Sequence, residues 1–387
     1  MRAEKLRIPL AWLQLSWDKL RLCAALSGIV FAVALMLIQL GFSDALYGAS
    51  VQVHERLRGD LVMLNSQYEY ILGSKSYSER YLYQTLAFPE VASVSPVYVG
   101  LGNWKNRGSL RELPIFVMGV DPRVDAFDIP EIKAGLSQLL LTDVVFFDEG
   151  SKPEYGSFRS ALAAGRRETA EVSGHRVVVG GDFTLGISFA SDGNLITSDQ
   201  NFLKIVPGRQ LGIINIGLIR LRPGADPETV RRKIQGTLPP GIQVMTHKQF
   251  VFNEQNYWAK RTPIGFIFNM GTFVGFLVGA VIVYQILYTD VSDHLKEYAT
   301  LKAMGYNDRF LFGVVMREGL ILALIGFVPG WLFSSGMAVL TRKITLLPSY
   351  MTFERSAVVL TLTIFMCVGS GMLAMRKLRA ADPADNF

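Results

Sequence analysis

The stretch Thr262 to Thr289, TPIGFIFNMGTFVGFLVGAVIVYQILYT, holds no Asp, Glu, Lys, Arg or His in 28 residues. As a helix it would measure about 42 Å, against a hydrocarbon core of about 30 Å. Three further stretches share the property: Leu22 to Ser43 (22 residues), Gly319 to Thr341 (23) and Ser356 to Met375 (20). Charges bracket each one, as Arg21/Asp44, Arg261/Asp290, Glu318/Arg342 and Arg355/Arg376. A charge at mid-bilayer costs about 2.5–3.5 kcal/mol, which accounts for such clean gaps. A single run of this kind is compatible with a buried core helix. Four bracketed runs predict four membrane spans, with a large water-facing insert between the first and second. The first run is longer than the apolar core of a signal peptide and reads as an uncleaved anchor.

Working outward, half of the 387 residues are hydrophobic and 19% are charged, where a soluble chain carries about a quarter charged. With the N-terminus inside, the segments assigned to the cytoplasm carry twelve Lys and Arg and the short outer loop three, Arg342, Lys343 and Arg355. This predicts cytoplasmic N- and C-termini and an external insert. Residues 44–261 hold 24 Lys and Arg against 23 Asp and Glu. The net charge of +6 therefore lies mostly beside the spans, where it suits anionic lipid headgroups, and no basic patch points to nucleic acid. Cys23 and Cys367 both fall at or within spans, so the insert relies on its own core, which its length can supply. His54, His175, His247 and His294 show no metal-ligand spacing.

The boundaries follow: 1–21 a cytoplasmic amphipathic helix, 22–43 the first span, 44–261 the external α/β domain, 262–289 the second span. Then come 290–318 as a cytoplasmic loop, 319–341 the third span, 342–355 a short external loop, 356–375 the fourth span and 376–387 a cytoplasmic tail. Within Pro9 to Arg21, Leu10, Leu13, Trp17 and Leu20 recur at helical spacing and suit the inner headgroup layer. In the insert, Val91 to Val99, Arg176 to Val179 and Ile213 to Leu221 read as strands. Asp226, Pro227 and Glu228 start a helix that ends near Gly236. A strand at Ile242 to Thr246 closes a β–α–β unit, and a helix over about Lys248 to Arg261 is expected to run directly into the second span. Lys133 to Glu171 is poorly patterned and reads as a second lobe or mobile insert.

No P-loop, G-x-S-x-G, H-E-x-x-H or C-x-x-C occurs. The charge-free stretches lack the intramembrane ionisable groups that ion-driven transporters use. Neither a catalytic nor a cofactor-binding residue is predicted. Gly271, Gly275 and Gly279 line one face of the second span, a seam for close helix packing within the chain or between two copies. Pro329-Gly330 predicts a kink in the third span.

The loop between the second and third spans reads DVSDHLKEYATLKAMGYNDRFLFGVVMRE, Asp290 to Glu318, and predicts a short helix, Gly305 as its C-terminal stop and a second helix leading into the third span. Glu297, Ala299, Leu301, Lys302, Ala303, Met304, Gly305 and Glu318 resemble the signature of FtsX-like/MacB-type ABC transporter permeases. Leu10 to Leu15, Gln39 to Phe42, Ser93 to Pro96 and Asp293 to Tyr306 resemble the DevC group of cyanobacterial exporters, linked to glycolipid export. The resemblance implies an α-helical membrane protein with four transmembrane helices and a MacB-like periplasmic core domain between helices 1 and 2, placed in the inner membrane.

It further implies a non-enzymatic homodimeric permease, with ATP bound by a separate, DevA-like ABC ATPase. A DevB-like membrane-fusion adaptor would lead to a TolC-like outer-membrane channel. Asp293, Leu295, Lys296, Glu297, Ala299, Leu301, Lys302, Ala303, Met304 and Gly305, with Glu318, would form the ATPase-coupling loop. Motion would pass to the external domain by mechanotransmission, moving glycolipid or other hydrophobic cargo. The same fold also suits an FtsX-type signalling scaffold or a Lol-type lipoprotein-releasing permease.

Overall fold

The structure, a computed structural model, describes residues 17, 19–106, 111–188 and 191–380, with the side chains of 298, 302, 308 and 376–380 excepted. The amphipathic helix expected over Pro9 to Arg21 lies mostly outside the described residues. The longer helices are α1 (Lys19–Arg56), α2 (Pro227–Gln235), α3 (His247–Asn256), α4 (Pro263–Asp293), α5 (Leu295–Ala303), α6 (Asp308–Thr345) and α7 (Phe353–Ala380). The chain divides into two compact units. One takes the chain up to Ala45, Ile264–Ile344 and the segment from Ser349 onward; the other takes Leu46–Pro263 with Thr345–Pro348.

The first unit is helical. α1, α4, α6 and α7 are each long and apolar enough to cross a membrane. Its core joins Ile29, Val33 and Met36 of α1 to Val283 and Leu287 of α4, Leu322 of α6, and Val359, Met366 and Cys367 of α7. The helices outrun the charge-free windows. α1 extends to Arg56 rather than ending at Ser43, α4 continues to Asp293, and α6 begins at Asp308 rather than after Glu318. A charge ends hydrophobicity, not the backbone hydrogen-bond ladder, so charge-free limits understate helix length. Of the kink or local break expected at Pro329, no break occurs, since α6 runs through it. Gly330 instead lets α6 approach α1, where a Cβ would stand 2.8 Å from the Val33 side chain.

The second unit is built on strands β1 (Leu61–Asn65), β2 (Tyr77–Ser78), β3 (Val91–Lys105), β4 (Leu113–Val120), β5 (Val144–Asp148), β6 (Glu168–Val172), β7 (His175–Phe183), β8 (Asn194–Ser198), β9 (Ile213–Ile214), β10 (Ile216–Leu221) and β11 (Ile242–Thr246). Nine of them form one sheet in the order β11-β1-β10-β3-β4-β8-β5-β7-β6. The long β3 also reaches β6, with Trp104 opposite Val172 and Lys105 opposite Glu171. That second pairing closes β3-β4-β8-β5-β7-β6 into a six-stranded barrel. Trp104, fully buried, stacks on Phe147 at 5.2 Å and meets Phe158 edge-on within it.

The segment read as a second lobe or mobile insert, 133–171, contributes β5 and most of β6 to this barrel. β5 lies between β8 and β7 and is buried at every position. A strand buried on both faces shows no alternation of polar and apolar residues, so its pattern is silent in the sequence. The β10–α2–β11 unit forms as expected, with the Asp226 side chain accepting from the Thr229 amide at 2.9 Å and Pro227 opening the helix. β1 inserts between its two strands, antiparallel to both. The helix expected over Lys248 to Arg261 differs at its end. α3 stops at Asn256, a π-turn covers Tyr257–Arg261, and Thr262 is extended (φ −112°, ψ 158°) before α4 restarts. Pro263 supplies the reason: its ring disfavours helical geometry at Thr262 and it has no N–H to continue the ladder.

Candidate coupling segment

The segment between α4 and α6 is a short helix held between two turns. After α4, the His294 amide bonds to the Asp290 carbonyl at 3.1 Å. α5 ends at Gly305, whose φ of +93° lies in the left-handed region. There the Tyr306 amide reaches back to the Leu301 carbonyl at 3.1 Å, the six-to-one bond of a Schellman cap. Asn307 then opens α6, its carbonyl accepting from the Phe310 amide at 2.8 Å.

Packing sorts the predicted residues into two sets. Leu295 and Leu301 pack against Val291, Leu311, Val315 and Met375, and Ala299 is buried. Lys296, Glu297, Ala303, Met304 and Gly305 are exposed. Beyond the cap, Tyr306 and Phe310 are exposed as well, with rings 4.8 Å apart. These two aromatics were not singled out from the sequence, although their i, i+4 spacing in a loop outside the spans was a readable signal. The side chain of Lys302 lies outside the described residues.

Asp293 and Glu318 do not join this surface. Asp293 pairs with Arg21 at the foot of α1, and Arg21 also lies 3.5 Å from Asp290. His294 Nδ1 stands 3.6 Å from the same Asp290 oxygen. Asp290 is 4% exposed and Glu318 is fully buried. Both Glu318 carboxyl oxygens and Asp290 Oδ2 lack a hydrogen-bond partner among the described residues. Two acids that bracket the apolar runs are thus buried in the helix packing. Partnering a buried carboxylate offsets a desolvation cost of several kcal/mol, and for Asp290 that partner is Arg21.

The three glycines of α4 face α1 within the chain. A Cβ at Gly271 would meet Gln39, at Gly275 Leu35 and Met36, and at Gly279 Ala32 and Met366. At the other end of the helical unit, Arg355 is buried and donates to Asp44 (2.6 Å) and to the Tyr350 carbonyl (2.9 Å). Among the described residues no group of three or more His, Cys, Asp or Glu gathers to hold a metal.

This geometry, an inter-span helix seated on the span bundle with an outward-facing far side, coincides with a family match. Residues 269–383 match the FtsX-like permease C-terminal family. The matched stretch takes in most of α4 together with all of α5, α6 and α7. Over nearly its whole length the chain is homologous to an uncharacterized ABC transporter permease of Mycobacterium tuberculosis, at 22% identity over 385 residues. The alignment covers 96% of this chain and 97% of the relative, in each of two strains. The outer unit is similar to the periplasmic region of MacB from Actinobacillus actinomycetemcomitans, with TM-score 0.36, 12% identity, and coverage of 53% of this chain and 96% of that one. It is also similar to the extracellular domain of the transporter YknZ from Gram-positive bacteria, with TM-score 0.33, 13% identity, and coverage of 49% and 99%.

Proposed function

We propose that the chain is the permease subunit of an ATP-driven ABC exporter, and that α5 with the turn after it is the surface on which a separate ATPase docks. One observation carries the reading. α5 is seated on the helical unit by Leu295, Ala299 and Leu301, while Met304, Tyr306 and Phe310 stay exposed among Lys296, Glu297 and Arg309. Large exposed apolar side chains rimmed by charge are the anatomy of a docking site. A push on α5 passes through Val291 and Leu311 into α4 and α6. Arg21 ties the same root to α1.

Transmission outward follows the chain. α1 runs without interruption from Lys19 to Arg56, and its last turns place Val53 in a core of the outer unit. Mechanotransmission by this helix, rather than passage of cargo along charged spans, is the mechanism we assign. We further propose a homodimer in the inner membrane, with termini cytoplasmic and the outer unit periplasmic. A periplasmic adaptor and an outer-membrane channel would complete the assembly. The resemblance of Asp293 to Tyr306 to the DevC group supports glycolipid or another hydrophobic compound as cargo.

The test is co-purification from the native membrane. Wild-type chain is expected to retain an ABC ATPase, and the double variant Tyr306→Ala/Phe310→Ala to lose it at least tenfold while keeping its melting temperature. Equal retention by the double variant would sink α5 as the docking surface.

A further inference from the structure

Glu254 is 1% exposed and has donors from four parts of the outer unit. The Tyr68 hydroxyl donates to Oε2 at 2.7 Å, and His54 Nε2 lies 3.2 Å from the same oxygen. On the other oxygen, Trp258 Nε1 donates at 3.1 Å and the Ile71 amide at 3.4 Å. The proton positions follow from counting donors. Tyr68 has one hydroxyl proton and gives it to Glu254. Its oxygen can then only accept from His54, whose Nε2 is 3.0 Å away. His54 therefore carries hydrogen on Nε2 and shares it between Tyr68 and Glu254. Burial first, then the charge of Glu254, holds the Tyr68 hydroxyl well above the ordinary tyrosine range, so it keeps that proton. Phe250 covers the group, its ring 4.5 Å from that of His54 and 5.6 Å from that of Tyr68. His247 Nε2 adds a second strap, donating to the His54 carbonyl at 2.9 Å.

The segments joined here are distant in sequence. His54 belongs to the last turn of α1, which carries the first span. Glu254 belongs to α3, and Trp258 to the π-turn that leads to the second span. We infer that Glu254 is the centre of a clasp that makes the end of α1 and the α3–π-turn segment open and move as one unit. Resting on the transmission reading above, this would turn two separate span connections into one lever.

The carboxylate is essential to the arrangement because both oxygens must accept. Glu254→Gln keeps the shape, yet its new NH2 faces two donors whichever oxygen it replaces, and at least one of those donors loses its acceptor. Hydrogen exchange on the full chain in phospholipid nanodiscs tests this. For Glu254→Gln, amides of 50–56 and of 250–258 are expected to exchange at least tenfold faster together, with β5 unchanged. His54→Ala should act likewise, and His54→Gln, which keeps a donor, should recover most of the protection. Acceleration confined to 250–258, or identical behaviour of His54→Gln and His54→Ala, would overturn the clasp. Were Glu254→Gln to lose β5 protection as well, the His54 pair decides alone. Adding the co-purifying ATPase with ATP and vanadate is a separate arm: no response of the wild-type chain there overturns the transmission reading and leaves the clasp to the exchange result.

Discussion

Two of the chain segments that connect the helical unit to the outer unit, those that bound Leu46–Pro263, are built in opposite ways. The first is α1, continuous from Lys19 to Arg56 with no proline inside it. The second runs from α3 through the π-turn Tyr257–Arg261 to an extended Thr262, and only then enters α4 at Pro263. One connection is a stiff rod; the other has a joint immediately before its span. Under the transmission proposed above, one rod and one joint would let the outer unit turn without stretching the backbone. The difference teaches that stiffness here is assigned by single residues, not by hydrophobicity, which is the same in both spans.

The comparison is broken most sharply at Gly48, in the last third of the rod. A Cβ there meets nothing closer than Pro348 at 3.8 Å. Gly48→Ala should stabilise by about 0.5–1 kcal/mol, while Gly48→Pro should cost about 3 kcal/mol or more and install a second joint. Thermal unfolding reads the stability, and nucleotide-dependent exchange of the outer unit should vanish in the proline variant only. A smaller effect is expected where rod and second span touch. Gly279→Val puts a side chain where a Cβ already stands 2.6 Å from that of Ala32. Overpacking of this kind costs about 1–3 kcal/mol, visible as a lower melting temperature in detergent.

Gly305→Ala forces a Cβ into the left-handed position that ends α5. A loss of about 1 kcal/mol is expected, read as roughly fivefold weaker ATPase retention at unchanged expression. Pro263→Ala is the mildest in stability, with a change under about 1 kcal/mol, but it sharpens the comparison most. It should let the helix continue through Thr262, raising exchange protection of 262–266. If those amides stay at wild-type rates, the joint does not depend on Pro263.

Much of this was legible without coordinates because the bilayer imposes a simple code. Absence of charge over Leu22–Ser43, Thr262–Thr289, Gly319–Thr341 and Ser356–Met375 located four helices, and Asp226-Pro227 located a capped one. The Gly305 stop was legible because a left-handed cap selects glycine. β5 was not, because a doubly buried strand has no periodicity, and neither was barrel closure, which rests on two residue pairs between β3 and β6. The joint was present in the Thr262-Pro263 dipeptide at the head of the stretch that located the second span, but apolar content masked it.

Of the coupling segment, the sequence by itself determined the helix, its stop and its mix of charge and hydrophobicity, because these depend on local backbone preferences. Which side chains face out was decided by packing: Leu295 and Leu301 turn onto the bundle, and Tyr306 and Phe310 remain exposed. Tertiary structure alone buried Asp290 and Glu318, set Arg21 on two acids more than 260 residues away, and gathered His54, Tyr68 and Trp258 around the Glu254 carboxylate. Charge tells where a residue can go in a membrane protein; only the meeting of distant segments decides whether that charge is left to water, paired or buried.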